Sequence, residues 1–287
     1  MTLYVLSLIL TAAVLHALWN LLAKRAKGKA PFIWLMYIAS TVLYLPVLLY
    51  EVRIDGFVCS PVVIWFSLTS AILHIGYYLV LQKGYRTSDL SVVYPMARGA
   101  GPLFSSIAAI LFLHEKLKIT AILGLFLILA GVLVITGLSF KRGNDGKVLT
   151  GVFWGLLTGV FIALYTFNDT VAIKTYAVST LIITFVSNVF STILLIPFIF
   201  SQKEEIRLEI QQHKWSIVAI GLLSPAAYIL VLEALKYAPL TVVAPVRETS
   251  ILFGVFMGSR VLNEGEGKRR IFASVTILGG IIALSMN

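Results

Sequence analysis

Two arginines each follow a proline closely, in Tyr94-Pro95-Met96-Ala97-Arg98 and in Ala244-Pro245-Val246-Arg247-Glu248. The chain has 23 Lys and Arg residues, and Arg98 and Arg247 are the two that fall inside apolar spans rather than in connections or at span ends. A charge held at membrane depth costs about 2.5–3.5 kcal/mol on insertion scales, so such a residue is a functional candidate. Arginine suits anion binding, because its planar fork grips a carboxylate or phosphate with two hydrogen bonds and stays charged when buried.

Residues at i, i+4 and i+7 or i+8 share one face of a helix. Tyr94, Arg98, Gly101 and Ser105 form one such stripe, and His74, Tyr78 and Gln82 another. His16 and Asn20 lie together with Trp19 beside them. Thr158, Tyr165 and Asp169 line up with Asn168 adjacent; Ser224 pairs with Tyr228; Arg247, Glu248 and Ser250 crowd two faces. If the stripes converge they line one polar cavity. The expected substrate-binding set is Arg98, Arg247, Glu248, Tyr94, His74, Tyr78, Tyr228, His16, Trp19, Asn20, Tyr165 and Asn168.

Plainer readings stand beside this one. The arginines can be structural locks paired with Glu248. The histidines can be hydrogen bonders between helices, and the tyrosines packing residues. Asp169 and Glu233 lie near span ends, where cavity and headgroup contacts are both open. Glu115 and Glu264 close their helices. Gly151, Gly155 and Gly159, like Gly254 and Gly258, have the small-residue spacing of packed membrane helices. Signals for catalysis are poor. His114-Glu115 lacks the second His of a metalloprotease motif, and neither a Gly-x-Ser-x-Gly elbow nor a phosphate-binding glycine loop occurs. Cys59 is the single cysteine, which excludes an internal disulfide. No catalytic residue, metal or cofactor is expected.

The elements that must position these residues are membrane helices. The chain of 287 residues is 59% hydrophobic and 13% charged, with mean hydropathy +0.95; a soluble domain carries roughly 25% charge. The net charge of +10 is dispersed among short connections, which excludes a nucleic-acid surface. Ten spans long enough for a hydrocarbon core of roughly 30 Å are read at 3–22, 32–50, 62–81, 91–113, 119–138, 149–170, 178–200, 215–235, 241–262 and 271–286. The longest connections are 203–214 and 51–61, with 141–147 between the fifth and sixth spans. Trp34, Trp65, Trp154 and Trp215 lie near span starts, as an interfacial belt requires.

The chain also repeats itself. A shift of 150 residues carries Tyr78 to Tyr228, Leu90 to Leu240 and Pro95 to Pro245, and dropping one residue then carries Arg98 to Arg247 and Glu115 to Glu264. Pro46 and Pro197 are weaker equivalents. The expected fold is therefore all-α, ten transmembrane helices in two inverted five-helix repeats, residues 1–140 and 149–287. An odd number of spans per repeat inverts the second half, and inverted repeats place a binding site near the midplane between them. Alternate connections hold 16 and 5 Lys or Arg residues. The positive-inside rule puts the richer set, including the first connection, in the cytoplasm and both termini outside.

Tyr78 through Pro95 with Glu115, Tyr228 through Pro245 with Glu264, and His16-Ala17-Leu18-Trp19-Asn20 together resemble the drug/metabolite transporter superfamily in its EamA-type, ten-helix form. The resemblance implies a carrier with a central cavity for metabolites, amino acids, nucleotide sugars or drugs. It also implies cytoplasmic termini, against the charge count. The expected function is secondary transport, by alternating access, of a small polar metabolite bearing an anionic group, in a cell (inner or plasma) membrane. The alternative is an exporter of cationic or aromatic compounds that uses Glu248 and aromatic faces; a non-transporting scaffold is the remaining reading. The expected partners are the lipid bilayer and a small-molecule substrate, with a coupling proton and a homodimer left open.

Overall fold

The computed structural model of the chain describes residues 2–26, 28–55, 60–87, 90–113, 118–136, 145–250, 272, 275–280 and 282–283. The side chains of some helical residues, Asn20, Gln82, Tyr94 and Arg98 among them, lie outside the described residues. So do His114, Glu115, Gly254, Gly258 and Glu264 altogether.

Every regular element among the described residues is an α-helix. In chain order they are α1 (Leu3–Ala26), α2 (Ala30–Asp55), α3 (Pro61–Thr87), α4 (Leu90–Phe112), α5 (Ile119–Thr136), α6 (Asp145–Tyr176), α7 (Thr180–Ile199), α8 (Lys203–Tyr237) and α9 (Leu240–Arg247). Residues 275–280 are helical as well, inside the tenth expected span. Six of these helices are long and apolar enough to cross a membrane.

Three boundaries depart from the hydropathy reading. The stretch 203–214, expected as a connection, is the start of α8. Its Lys, Glu, Ile, Arg, Leu and Gln residues are good helix formers without a Gly or Pro, and Glu204 and Glu205 sit in the first turn, where the helix dipole favours acids. Trp215 is thus far inside α8, not at its start. The helix α6 runs from Asp145 to Tyr176, well beyond both ends of the expected span. The ninth span is not one continuous helix: α9 ends at Arg247, and Glu248 and Thr249 form a turn. Their N–H groups bond back three residues, to Pro245 O at 3.0 Å and Val246 O at 3.1 Å.

Several of the helix contacts map onto one another when each helix is exchanged for the one five places along. The pair α2–α7 and the pair α4–α9 join equivalents. The contact of α3 with α6 is matched by that of α1 with α8, and α2 with α8 by α3 with α7. A Cβ on Gly280 would lie 2.7 Å from Gly124 O, which brings 275–280 against α5. A two-fold relation between repeats produces this pattern. The glycine stripe packs α4 on α6: a Cβ on Gly155 would meet Met96 Cβ at 2.5 Å and Val93 O at 2.8 Å, and one on Gly159 would meet Ala100 Cβ at 2.6 Å.

The main apolar core lies toward the end of the bundle where the chain begins. It contains Val5, Ile9 and Ala12 of α1, Ala172 and Ile173 of α6, Ile182 and Ile183 of α7, and Val231, Leu232 and Leu235 of α8. At the same end, the hydroxyl of Ser179, the N-cap of α7, donates to Glu51 of α2, and Thr180 donates to Glu233, which pairs with Lys236 at 2.7 Å. A smaller cluster near the other end joins α1, α2 and α8 through Trp19, Phe32, Met36, Ile217 and Ile220.

Candidate functional site

A polar cavity of about 100 Å³ lies between α1, α2, α3, α6, α7 and α8, on the far side of the main core from the chain start. From the expected set, His16 and Trp19 of α1, His74 and Tyr78 of α3, Tyr165 of α6 and Tyr228 of α8 line it. Asn168 adjoins it. Arg247 and Glu248 do not line it. The side chains of Arg98, Tyr94 and Asn20 are outside the described residues.

The cavity is built around Asp169, which is 1% exposed. Its Oδ2 accepts hydrogen bonds from Tyr228 Oη at 2.5 Å and Ser70 Oγ at 3.0 Å. Its Oδ1 accepts from Asn168 Nδ2 at 2.8 Å, and that amide also donates to Phe66 O at 3.0 Å. His74 Nδ1 lies 2.8 Å from Ser70 O and 3.3 Å from Ser70 Oγ. A carbonyl oxygen can only accept, so His74 carries its proton on Nδ1. Asp169 thus lies deep in the polar site, which decides between the cavity and headgroup readings. Glu233, paired with Lys236, lies at the bundle end instead.

Aromatic rings share the cavity lining with this carboxylate. His74 stacks on Tyr165 with centroids 4.0 Å apart, and Tyr228 meets His74 edge-on at 5.5 Å. Tyr77 and Tyr228 each stand edge-on to Tyr165 at 6.0 Å. Trp19 Nε1 donates to His16 Nδ1 at 3.2 Å. Negative ring faces around a carboxylate make an environment suited to a cation.

The opposite wall is polar and comes from residues that the stripes did not single out: Tyr37 and Ser40 of α2, and Thr184, Ser187, Asn188 and Ser191 of α7. The signal was there. The four α7 residues have i, i+3, i+4, i+7 spacing, and the shift of 151 that joins Pro46 to Pro197 also joins Tyr37 to Asn188 and Ser40 to Ser191. The shift of 150 joins His74 to Ser224 and Tyr78 to Tyr228, all four on the cavity. It also joins Trp19 to Asp169, so the approximate symmetry of the site is broken where one repeat has an indole and the other a carboxylate.

Pro225 shapes the α8 wall. It has no N–H to give to Gly221 O, four residues earlier. Ser40 Oγ donates to that carbonyl at 2.9 Å from across the helix pair. The adjoining Tyr44 Oη donates to Leu222 O at 2.7 Å. Side chains of α2 thereby satisfy backbone that a membrane interior leaves no water to satisfy.

Arg247 is 4% exposed and Glu248 is 1% exposed. Arg247 Nε lies 3.6 Å from Glu248 Oε1. Nε and Nη2 of Arg247 make no hydrogen bond among the described residues.

A model described as the EamA-like transporter family matches residues 3–137 and 149–286. Twenty-nine solved chains are similar in fold. One of them, titled only "Crystal structure of protein", covers 98% of this chain and 98% of its own at a TM-score of 0.72 and 15% identity, a likeness of fold alone. No curated protein matches the chain.

Proposed function

The chain belongs to the EamA-like transporter family, a family of membrane transporters, and from that premise we propose that it is a secondary carrier for small organic solutes bearing a cationic group. The observation that carries this is Asp169, a buried carboxylate among aromatic rings on the cavity wall. Arg247 sits beside Glu248, so that pair adds no net charge, while Asp169 leaves the described lining negative when ionised. The cationic-cargo alternative from the sequence is therefore the better supported, with Asp169 in the role given there to Glu248.

Alternating access follows from two repeats, 1–140 and 149–287, rocking about a cavity placed between them. The main apolar core closes the end of the bundle where the chain begins. The charge asymmetry supports a cytoplasmic face at the other end, in a bacterial-type cytoplasmic membrane. A proton, where the carrier is proton-linked, competes with cargo for Asp169.

A second reading, an anionic metabolite, is favoured by the guanidinium atoms of Arg247 that lack hydrogen bonds among the described residues. Uptake into proteoliposomes separates the two. Phenethylamine, hydrocinnamate and ethylbenzene share one skeleton and differ in charge. Saturable transport of the amine alone is expected, and saturable transport of the carboxylate alone would transfer the case to the anion reading.

A further inference from the structure

We infer that this site selects a fully alkylated or charge-delocalised cation, a quaternary ammonium or an aromatic cation, over a primary ammonium; the inference rests on the cation-cargo reading above. The ground is the hydrogen-bond count at Asp169. A carboxylate offers about four acceptor sites. Three are taken, by Tyr228 and Ser70 on Oδ2 and by Asn168 on Oδ1. All three donors are neutral groups, so the negative charge stays while the positions that would meet an N–H are mostly filled.

A primary ammonium brings three N–H donors and loses strong hydration on entering. One acceptor site at Asp169 remains to replace that water. The nearby hydroxyls of Ser40 and Ser187 are turned toward carbonyls, at Gly221 O and Ser67 O, and offer only neutral lone pairs. A quaternary ammonium has no N–H to satisfy. Its charge spreads over methyl groups that pack on ring faces, and the Coulomb attraction of the carboxylate on the same cavity wall needs no direct contact. The stacked and edge-on rings of His74, Tyr165, Tyr77 and Tyr228 supply that surface.

The test is calorimetric titration of the full-length protein in detergent with three probes on one phenethyl skeleton: phenethylamine, its N,N,N-trimethyl derivative, and the neutral tert-butyl isostere of the latter. The trimethyl compound is expected to bind about tenfold more tightly than either other probe. Tyr228→Phe opens an acceptor site on Asp169, so the preference over the primary amine should shrink at least threefold. Ser70→Ala gives the same shrinkage where Tyr228→Phe does not fold. Equal or tighter binding of the primary amine overturns this inference and leaves the cation-cargo reading standing. An unchanged preference in both variants overturns the hydrogen-bond ground of the inference. Binding of neither cation, or equal binding of the neutral analogue, overturns both readings together.

Discussion

The Tyr228 hydroxyl of α8 donates a hydrogen bond to Asp169 Oδ2 of α6 at 2.5 Å. The helix equivalent to α8 in the first repeat is α3, and it supplies Ser70 to the same carboxylate oxygen. One acid is thus gripped by both members of an equivalent helix pair. Under the proposed rocking mechanism, parting α3 from α8 would loosen one of these bonds.

Hydrogen bonds to charged groups contribute about 1.5–3 kcal/mol each. Ser70→Ala and Tyr228→Phe are each expected to lower the melting temperature measurably. The double variant should cost less than the sum, since both act on one oxygen. Strict additivity in thermal unfolding would indicate that the two bonds are not held together.

The buried pair of Arg247 and Glu248 is expected to act as a structural lock. Removing one partner of such a pair costs about 3–5 kcal/mol, because the other charge is left buried alone. Arg247→Met should therefore unfold the protein at lower temperature, and Arg247→Met with Glu248→Gln should recover most of the loss. Cation affinity in the double variant should match that of the unaltered protein. A stable Arg247→Met protein that no longer binds cargo would return Arg247 to the substrate path.

Much of the fold was legible in the sequence because burying backbone in lipid forces long apolar helices, and because the motif around Pro95 and Pro245 repeats. The start of α8 was not, since hydropathy registers lipid contact and not helix propensity. The site was half legible. His16, Trp19, His74, Tyr78, Tyr165 and Tyr228 stood out as polar or aromatic stripes, and each reaches the cavity. Asp169 stood near a span end only because the apolar run stops at 170, while the helix continues to Tyr176. The arginines drew attention through their charge, but position along a helix does not say which neighbour a charge will meet, and for Arg247 that neighbour is the next residue.

Close approach of α4 and α6 depends on Gly155 and Gly159. A side chain at Gly155 meets backbone oxygen, which cannot rotate away. Gly155→Leu should abolish folded protein, and Gly159→Ala should cost about 1–3 kcal/mol by overpacking. Size-exclusion profiles and melting curves read both. A Gly155→Leu protein that elutes and melts like the unaltered one would contradict the packing.

Orientation has its own check. Single cysteines at positions 28 and 143 in a Cys59→Ser background should stay unlabelled by an impermeant maleimide on intact cells and label after lysis. Strong labelling from outside would place both termini in the cytoplasm.

The most direct measurement is cation binding with and without the Asp169 charge. Equilibrium titration with trimethylphenethylammonium should give saturable binding to the unaltered protein, weakened at least about tenfold in an Asp169→Asn protein that still elutes as a folded species in size exclusion. Binding of hydrocinnamate should be absent in both. Undiminished cation affinity in a folded Asp169→Asn protein would contradict the account, and saturable hydrocinnamate binding that disappears in a stable Arg247 variant would replace it.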